Sequence, residues 1–257
     1  MRNPSILKDY LVSVDLPRLL EELDVSDAKR LLQTVEHFTE KEANKRDQIV
    51  LSYFGERGVN LITESILNRL LAEPELRSDA RILDIGAGSG FFTLRVARRL
   101  RPHVPKASFY AMDITPAMLM VLAKKDNYIT PFLGLTEHMT QSVKQARKYV
   151  QIPEKFDAML STLALHHCLN VESAFEGMRD LLDDHGKVVI VDLCTHPFEE
   201  FKAEMSDIHL GFEPSWIREI GAKFFPRITV EKMPGICCKS SGRSADLFIS
   251  LMTKMQT

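Results

Sequence analysis

Three closely spaced glycines form the segment of this sequence best suited to binding a ligand. Residues 81–93 read RILDIGAGSGFFT, with glycines at positions 86, 88 and 90 between an apolar run and an amphipathic stretch. This order predicts a β-strand, a tight turn and a helix. Glycine lets the backbone approach a ligand closely, and the first N–H groups of a helix lack partners within the helix. The turn is therefore a candidate ligand-binding loop.

The glycine spacing bears on which cofactor the loop would hold. A dinucleotide fingerprint, G-x-G-x-x-G, would place its third glycine at position 91. That position is Phe91, and the third glycine is Gly90, so the pattern is G-x-G-x-G with Asp84 two residues before it. The spacing therefore argues against a nicotinamide oxidoreductase.

A second chemical signal is an acid at the end of the next predicted strand. Residues 107–112 read as that strand, which stops at Asp113. An acid at the tip of the second strand of a βαβ unit can accept both hydroxyls of a ribose. Thr115 and Pro116 then predict a helix start, as N-cap and first helical residue.

With two further segments, these motifs resemble the class I S-adenosylmethionine (SAM)-dependent methyltransferases of the small-molecule type. KFDAMLSTLALHH at 155–167 matches strand four and its loop, and LLDDHGKVVIVD at 181–192 matches a helix end, a turn and strand five. The resemblance implies SAM as cofactor and methyl transfer by in-line displacement. In that reaction the protein mainly aligns donor and acceptor, because the sulfonium already activates the methyl group.

The resemblance also implies which residues hold SAM. Asp84 would face the ammonium group of the methionine part, Asp113 the ribose hydroxyls and Ile114 the adenine. For Asp84 the alternative is a role in satisfying backbone donors of its own turn. The predicted cofactor residues are Asp84, Gly86, Ala87, Gly88, Gly90, Asp113, Ile114, Thr136, Ser161 and Thr162.

One departure from the family concerns the adenine contact. Many members end strand three with Gly-Asp, whereas this chain has Gly134-Leu135. Thr136, Glu137 or backbone groups would have to take over that contact. The link to strand four is also long, and 139–150 reads as an added helix.

The loop after strand four supplies the predicted catalytic residues. Ser-Thr-Leu-Ala at 161–164 replaces the Asn-Pro-Pro-aromatic motif, which disfavours methylation of DNA adenine or glutamine. His166 and His167 follow, and a histidine, with its ordinary pKa near 6.5, can remove a proton from an acceptor. The alternative is that one histidine packs in the fold while the other only lines the site.

Three aromatic residues are predicted to bind the substrate. In small-molecule members an N-terminal helical segment and an insertion before strand six cover the acceptor. Tyr53 and Phe54 lie in the first of these segments and Trp216 in the second. Filling the core is the alternative role for all three.

Composition limits the function classes. The net charge of −2 gives no basic surface for nucleic acid or anionic membrane, so a nucleic-acid partner is disfavoured. No apolar run is long enough to span a membrane, and the N-terminus lacks the apolar core of a signal peptide. The four cysteines match no zinc spacing, so we expect free thiols, a cytoplasmic protein and no metal site.

The chain divides into a helical part and an α/β part. Residues 1–75 read as an N-terminal helical cap or lid, with a break at Pro74, and 76–257 as the methyltransferase domain. From residue 80 the sequence predicts strands near 81–85, 107–112, 130–134, 156–161 and 186–193 and helices near 90–101, 116–124, 139–150 and 171–182. This alternation predicts a doubly wound, mostly parallel sheet. Two final β-rich runs without a helix between them predict an antiparallel hairpin, completing the seven strands that the resemblance implies.

These observations favour methylation of a small molecule on oxygen or nitrogen. The alternatives are methylation of a tRNA base or a protein, or a non-catalytic partner subunit with the same fold. Non-catalytic partners often lose the glycines or the ribose acid, and this chain has both. A homodimer formed through the N-terminal helices is a further alternative to the lid.

Overall fold

The computed structural model describes residues 9–11, 16–22, 32, 35, 40–205 and 207–254. A helix predicted from Ser26 lies almost entirely outside these ranges. None of the described helices is both long and apolar enough to cross a membrane. The α-helices are α1 Leu16–Glu22, α2 Glu40–Leu71, α3 Phe91–Leu100, α4 Pro116–Lys125, α5 Met139–Ala146, α6 Val171–Leu181, α7 Glu200–Met205 and α8 Pro214–Gly221, with 3₁₀ turns at Thr136–His138 and Leu165–His167.

Seven strands form one mixed sheet in the order β3-β2-β1-β4-β5-β7-β6. The first five are parallel, and β7 runs antiparallel to both β5 and β6. This confirms the predicted mostly parallel sheet with a closing hairpin. The strands are β1 Arg81–Ile85, β2 Ser108–Asp113, β3 Ile129–Leu133, β4 Phe156–Thr162, β5 Leu182–Leu193, β6 Arg227–Ser240 and β7 Arg243–Thr253.

Alternating side chains of the central strands fill two cores, one on each face of the sheet. Leu83 and Ile85 share one core with residues of α5, α6 and α8. Ile82 shares the other with residues of α2 and α3. Covering both faces explains why the central strands are apolar along their whole length. The carboxyl ends of β1, β2 and β4 therefore meet at one edge of a rigid sheet, where ligands of open α/β folds bind.

The N-terminal part contains the predicted pair of helices, joined end to end. The sequence predicts helices starting at Thr39 and Val59, and residues 40–71 form two helical segments that meet at a kink at Gly55. Gly55 has φ 62° and ψ 168°, and a Cβ built there would meet nothing within 4 Å. Its backbone conformation, which other residues rarely adopt, explains the glycine better than packing does.

The closing hairpin agrees in part with the prediction. The sequence predicts Pro234, Gly235 and residues 240–242 in the connection between the two strands, but Pro234 and Gly235 lie inside β6, where the pairing with β7 shifts register between Lys232 and Cys237. β6 is the edge strand, so a proline without an N–H is tolerated there. The turn itself lies at Ser241 and Gly242, both with positive φ.

A buried lysine fixes the end of α2 to the sheet. Lys187 on β5 is 0% exposed, and its Nζ donates to the carbonyl oxygens of Leu70, at 2.9 Å, and Ala72. These carbonyls are at the C-terminal end of α2, where helix carbonyls lack partners and a positive charge is favourable. Burial lowers the pKa of Lys187 to about 8. This contact holds the end of α2 against the face of the sheet that α3 also covers.

Candidate active site

The three glycines of the turn have different structural roles. All three have positive φ. A Cβ on Gly86 would lie 2.3 Å from the Cβ of Ala164, and one on Gly90 would lie 2.2 Å from Cδ1 of Leu122. A Cβ on Gly88 would meet no protein atom within 4 Å. Gly86 and Gly90 therefore allow close packing, whereas Gly88 leaves open space in the cleft beside the turn.

Asp113 links the glycine turn to the end of β2. Its Oδ2 accepts the N–H of Gly88 at 2.7 Å, and its Oδ1 accepts the N–H of Thr115 at 2.8 Å. Burial raises the pKa of Asp113, and these two hydrogen bonds oppose the shift. A carboxylate has about four acceptor positions, so two hydroxyl groups can still bind. The contacts thus combine a structural role with the capacity to hold a ribose.

Asp84 is a buried carboxylate with one unsatisfied oxygen. Its Oδ2 accepts the hydroxyl of Thr93 at 2.5 Å, while Oδ1 has no hydrogen-bond partner. Burial raises the pKa of Asp84 to about 7, the Thr93 bond opposes the shift, and the charge of Asp113 adds to it. An unpaired buried carboxylate under a ligand-binding turn fits a ligand with a cationic group, such as an ammonium group that reaches it directly or through water.

These elements surround a cleft of about 850 Å³ that is open to solvent. Among the predicted cofactor residues, Gly86, Gly88, Asp113, Ile114 and Thr136 line it. Sequence analysis missed most of the other lining residues. These others are Arg46, Thr115, Met118, Gly134, Leu135, Glu137, Leu163, Ala164, His167, Cys168 and Ile208.

Five predicted cofactor residues, among them the buried Asp84 of β1, are outside the lining of this cleft. The Ala87 N–H bonds the Met112 carbonyl of β2 at 3.0 Å, and Gly90 packs on α4. Ser161 and Thr162 end β4 and are buried. The loop turns into the cleft only at Leu163, whose φ of 59° reverses the backbone.

The three predicted substrate-binding aromatics lie elsewhere. Tyr53 and Phe54 pack against the core between α2 and the sheet. Trp216 stacks on Phe212 with a centroid distance of 5.4 Å and borders a separate surface cleft. The structure brings Arg46 of α2 to the cofactor cleft instead. Periodicity identified the covering helix but gave no signal for which of its faces points to the cleft.

The region after β3 supplies polar groups where the family's acid is absent. Leu135 is buried, and its N–H donates to the hydroxyl of Ser142 at 3.0 Å. Thr136 and Glu137 both line the cleft. Burial raises the pKa of Glu137, and its carboxylate accepts the N–H of Leu169. Glu137 thus joins the loops after β3 and β4 at this side of the cleft.

The two adjacent histidines have different surroundings. His167 lines the cleft, whereas His166 is buried. Nδ1 of His166 lies 2.6 Å from Oδ1 of Asp192, and its Nε2 lies 3.4 Å from Oδ1 of Asp207. Burial lowers the pKa of His166, but the two carboxylates outweigh it and raise the pKa to about 10. A histidine held between carboxylates is a poor base at neutral pH, so only His167 is placed to meet an acceptor.

The N-terminal helix is anchored directly to the glycine turn. The Asp47 carboxylate accepts the Ser89 hydroxyl at 2.7 Å and pairs with Lys125 of α4, also at 2.7 Å. Nζ of Lys125 further donates to the Ser89 carbonyl at 2.9 Å. Arg46 is the neighbour of Asp47 and lines the cleft. The helix that covers the site therefore bonds the loop expected to hold the cofactor.

Comparison with known proteins identifies the family. A family model described as a methyltransferase domain matches residues 76–220. The chain belongs to this methyltransferase family. Its members use SAM, and the three observations at Gly88, Asp84 and Asp113 fit that cofactor. The methionine part would pass Gly88, its ammonium group would meet Asp84, and the ribose would meet Asp113.

Individual relatives of this methyltransferase differ in their acceptors. The chain is 28% identical to malonyl-[acyl-carrier protein] O-methyltransferase of Geobacter sulfurreducens over 187 residues, covering 73% of this chain and 64% of that one. It is 31% identical to tRNA1(Val) (adenine(37)-N6)-methyltransferase of Bacteroides thetaiotaomicron over 147 residues, covering 51% and 58%. The chain thus spans less than two thirds of the length of either relative.

A solved structure shows the same fold at low identity. Phosphoethanolamine N-methyltransferase 2 of Haemonchus contortus, solved with SAM, has a TM-score of 0.61 and 18% identity, covering 95% of this chain and 60% of that chain. This likeness supports the architecture of the sheet and its covering helices. It does not by itself assign an acceptor.

Proposed function

We propose that this methyltransferase transfers the methyl group of SAM to oxygen or nitrogen of a small-molecule acceptor. The observation that carries the proposal is the cleft at the carboxyl ends of the strands. There Gly88 leaves open space and Asp113 would hold the ribose, while the buried Asp84 beneath the turn would face the ammonium group directly or through water. The covering segments favour a small acceptor, because Arg46 of α2 and Ile208 from the segment before α8 both reach the cleft.

The chemistry rests mainly on alignment. SAM supplies an activated methyl group when bound, and the chain has to orient it and exclude water from it. The turn, whose Gly86 and Gly88 N–H groups donate to Met112 and Asp113 of β2, would fix the cofactor. His167 lines the cleft and would orient the acceptor or take its proton. Residues 1–75 would act as the lid and 76–257 as the methyltransferase domain.

The relatives leave both oxygen and nitrogen acceptors open. Their names include an O-methyltransferase and an N-methyltransferase of phosphoethanolamine. The tRNA adenine methyltransferase is a less suitable guide to the acceptor. Residues 161–164 lack the Asn-Pro-Pro-aromatic motif used to methylate adenine nitrogen, and the net charge of −2 offers no general attraction to RNA. The four unbridged thiols support the further proposal of a reducing, cytoplasmic setting.

A metabolite screen would test this function. The protein would be incubated with SAM and a small-molecule extract, and mass spectrometry would search for compounds that gain one methyl group together with S-adenosylhomocysteine. We expect such products with the wild-type protein and their loss with Asp113→Ala. Failure to bind SAM in calorimetry would overturn the proposal. Methylation of RNA or protein alone would overturn the small-molecule assignment.

A further inference from the structure

We propose that His166, His167 and Asp207 form a binding site for a divalent transition-metal ion beside the cofactor cleft. Each residue offers one ligand atom, and the three atoms all lie within 4.8 Å of one another. The histidines come from the 3₁₀ turn after β4, and Asp207 comes from the segment between α7 and α8. Backbone bonds from the N–H groups of Ile208 and His209 to the His166 carbonyl, at 3.1 and 3.0 Å, hold the two segments together.

The buried carboxylate of Asp207 is suited to binding a cation. Its side chain is 0% exposed, and neither oxygen has a hydrogen-bond partner. The nearest described cationic group is Nε2 of His166 at 3.4 Å, longer than a well-formed hydrogen bond. A buried carboxylate without close donors is costly. A metal ion bound between Asp207 and the two imidazoles would stabilise this buried carboxylate by its positive charge.

The surroundings of His166 prepare it to act as a ligand. Its Nδ1 lies 2.6 Å from Asp192, which also accepts the N–H groups of Leu165 and Leu193 at 2.8 and 2.7 Å. Asp192 is thereby fixed, and it orients the imidazole of His166 through Nδ1. The other nitrogen, Nε2, faces Asp207 and would give up its proton when a metal ion binds. A carboxylate bound to one ring nitrogen while the other faces the metal is the usual arrangement around metal-bound histidine.

The donor set favours particular metals. Two imidazoles and one carboxylate suit Zn²⁺, Fe²⁺, Co²⁺ or Ni²⁺, whereas Mg²⁺ and Ca²⁺ prefer oxygen ligands. His167 lines both this site and the cleft, so open coordination positions would face the bound acceptor. Sequence spacing alone could not reveal the site, because Asp207 lies far from the histidines along the chain. The inference requires neither SAM nor an identified acceptor.

Metal titration tests the site directly. Zn²⁺ would be titrated calorimetrically into the metal-free full chain, and Co²⁺ would be added separately for its absorption spectrum. We expect one Zn²⁺ per chain and a cobalt spectrum without a thiolate charge-transfer band. Asp207→Asn and His167→Gln should each weaken Zn²⁺ binding by at least about tenfold. His185→Gln, at an exposed histidine on β5, is the matched control and should leave it unchanged.

Several results would overturn the metal site. One is the absence of Zn²⁺ binding to the wild type, which would mean that His166 and Asp207 form only an ion pair. Another is equal affinity in the wild type and both ligand variants. A third is a thiolate band that disappears in a Cys237→Ser/Cys238→Ser double variant. Circular dichroism would check that each variant folds. If Asp207→Asn does not fold, the Zn²⁺ affinity of His167→Gln tests the site instead, because His167 is partly exposed. Because SAM is absent from this titration, its failure would leave the methyltransferase proposal intact.

Discussion

Replacing Asp113 with alanine should weaken binding of S-adenosylhomocysteine by about a hundredfold. A hydrogen bond to a charged acceptor contributes about 1.5–3 kcal/mol, and the substitution would remove the hydrogen bonds that two ribose hydroxyls donate to Asp113. At about 1.4 kcal/mol per factor of ten, these bonds total a factor of about 10²–10⁴. We expect the lower end of this range because the cleft is open to solvent, and water can replace part of the lost hydrogen bonding. Isothermal calorimetry on the purified variants would measure the dissociation constant.

A matched control separates cofactor binding from turn stability. Asp113 also accepts the N–H groups of Gly88 and Thr115, so its loss should lower the free energy of unfolding by about 1–3 kcal/mol. Asp126 likewise accepts two backbone N–H groups, of Tyr128 and Ile129, but lies before β3, away from the cleft. Asp126→Ala should cost similar stability and leave binding unchanged. A native-like Asp113→Ala with unaltered affinity would refute the ribose assignment.

Three further predictions concern groups around the site. For Lys187, whose pKa falls from 10.5 to about 8 in the fold, the contribution of this side chain to the free energy of unfolding should rise from pH 8 toward 10.5, because the unfolded chain still binds the proton. Chemical denaturation should show this rise in the difference between the wild type and Lys187→Met. For Asp84, with its pKa of about 7, SAM affinity should fall as the pH drops from 8 to 6, and calorimetry should find this dependence absent in Asp84→Asn. Asp47→Ala breaks the contacts to Lys125 and Ser89, so hydrogen exchange of the N-terminal helix should speed up, while the exchange of β4 should not change.

The succession of strands and helices along the chain could be predicted because its signals are local. The glycine turn, Asp113 and the apolar strands each fall within a short window of sequence, and the structure places them as expected. Predicted strand and helix bounds from residue 80 to 181 mostly agree within a residue or two. The exception is α5, which ends at Ala146 and not at residue 150. These elements are fixed by the alternation of buried and exposed positions, which is visible in the sequence.

The rest of the site depends on contacts between distant segments. Nothing near Asp207 in the sequence indicates that it lies against His166, and nothing near Arg46 indicates that it reaches the cleft. Lys187 sits inside an apolar strand, where only the carbonyls at the end of α2 explain a charged side chain. β5 starts at Leu182, before the predicted residue 186, because Leu182 already pairs with Phe156 of β4. A shift in register separates this pair from the rest of the strand. Such features follow from tertiary packing, which the periodicity of the sequence does not reveal.

The most direct test of the account compares two glycines that both have positive φ. Gly88 and Gly235 have φ of +53° and +74°, and a Cβ at either would meet nothing within 4 Å. Valine should therefore strain the backbone at both positions, but only Gly88→Val would place a side chain in the cleft. Calorimetry with S-adenosylhomocysteine should show binding abolished in Gly88→Val and retained in Gly235→Val, with both proteins folded. Normal binding by a folded Gly88→Val would contradict the assignment of this cleft to SAM.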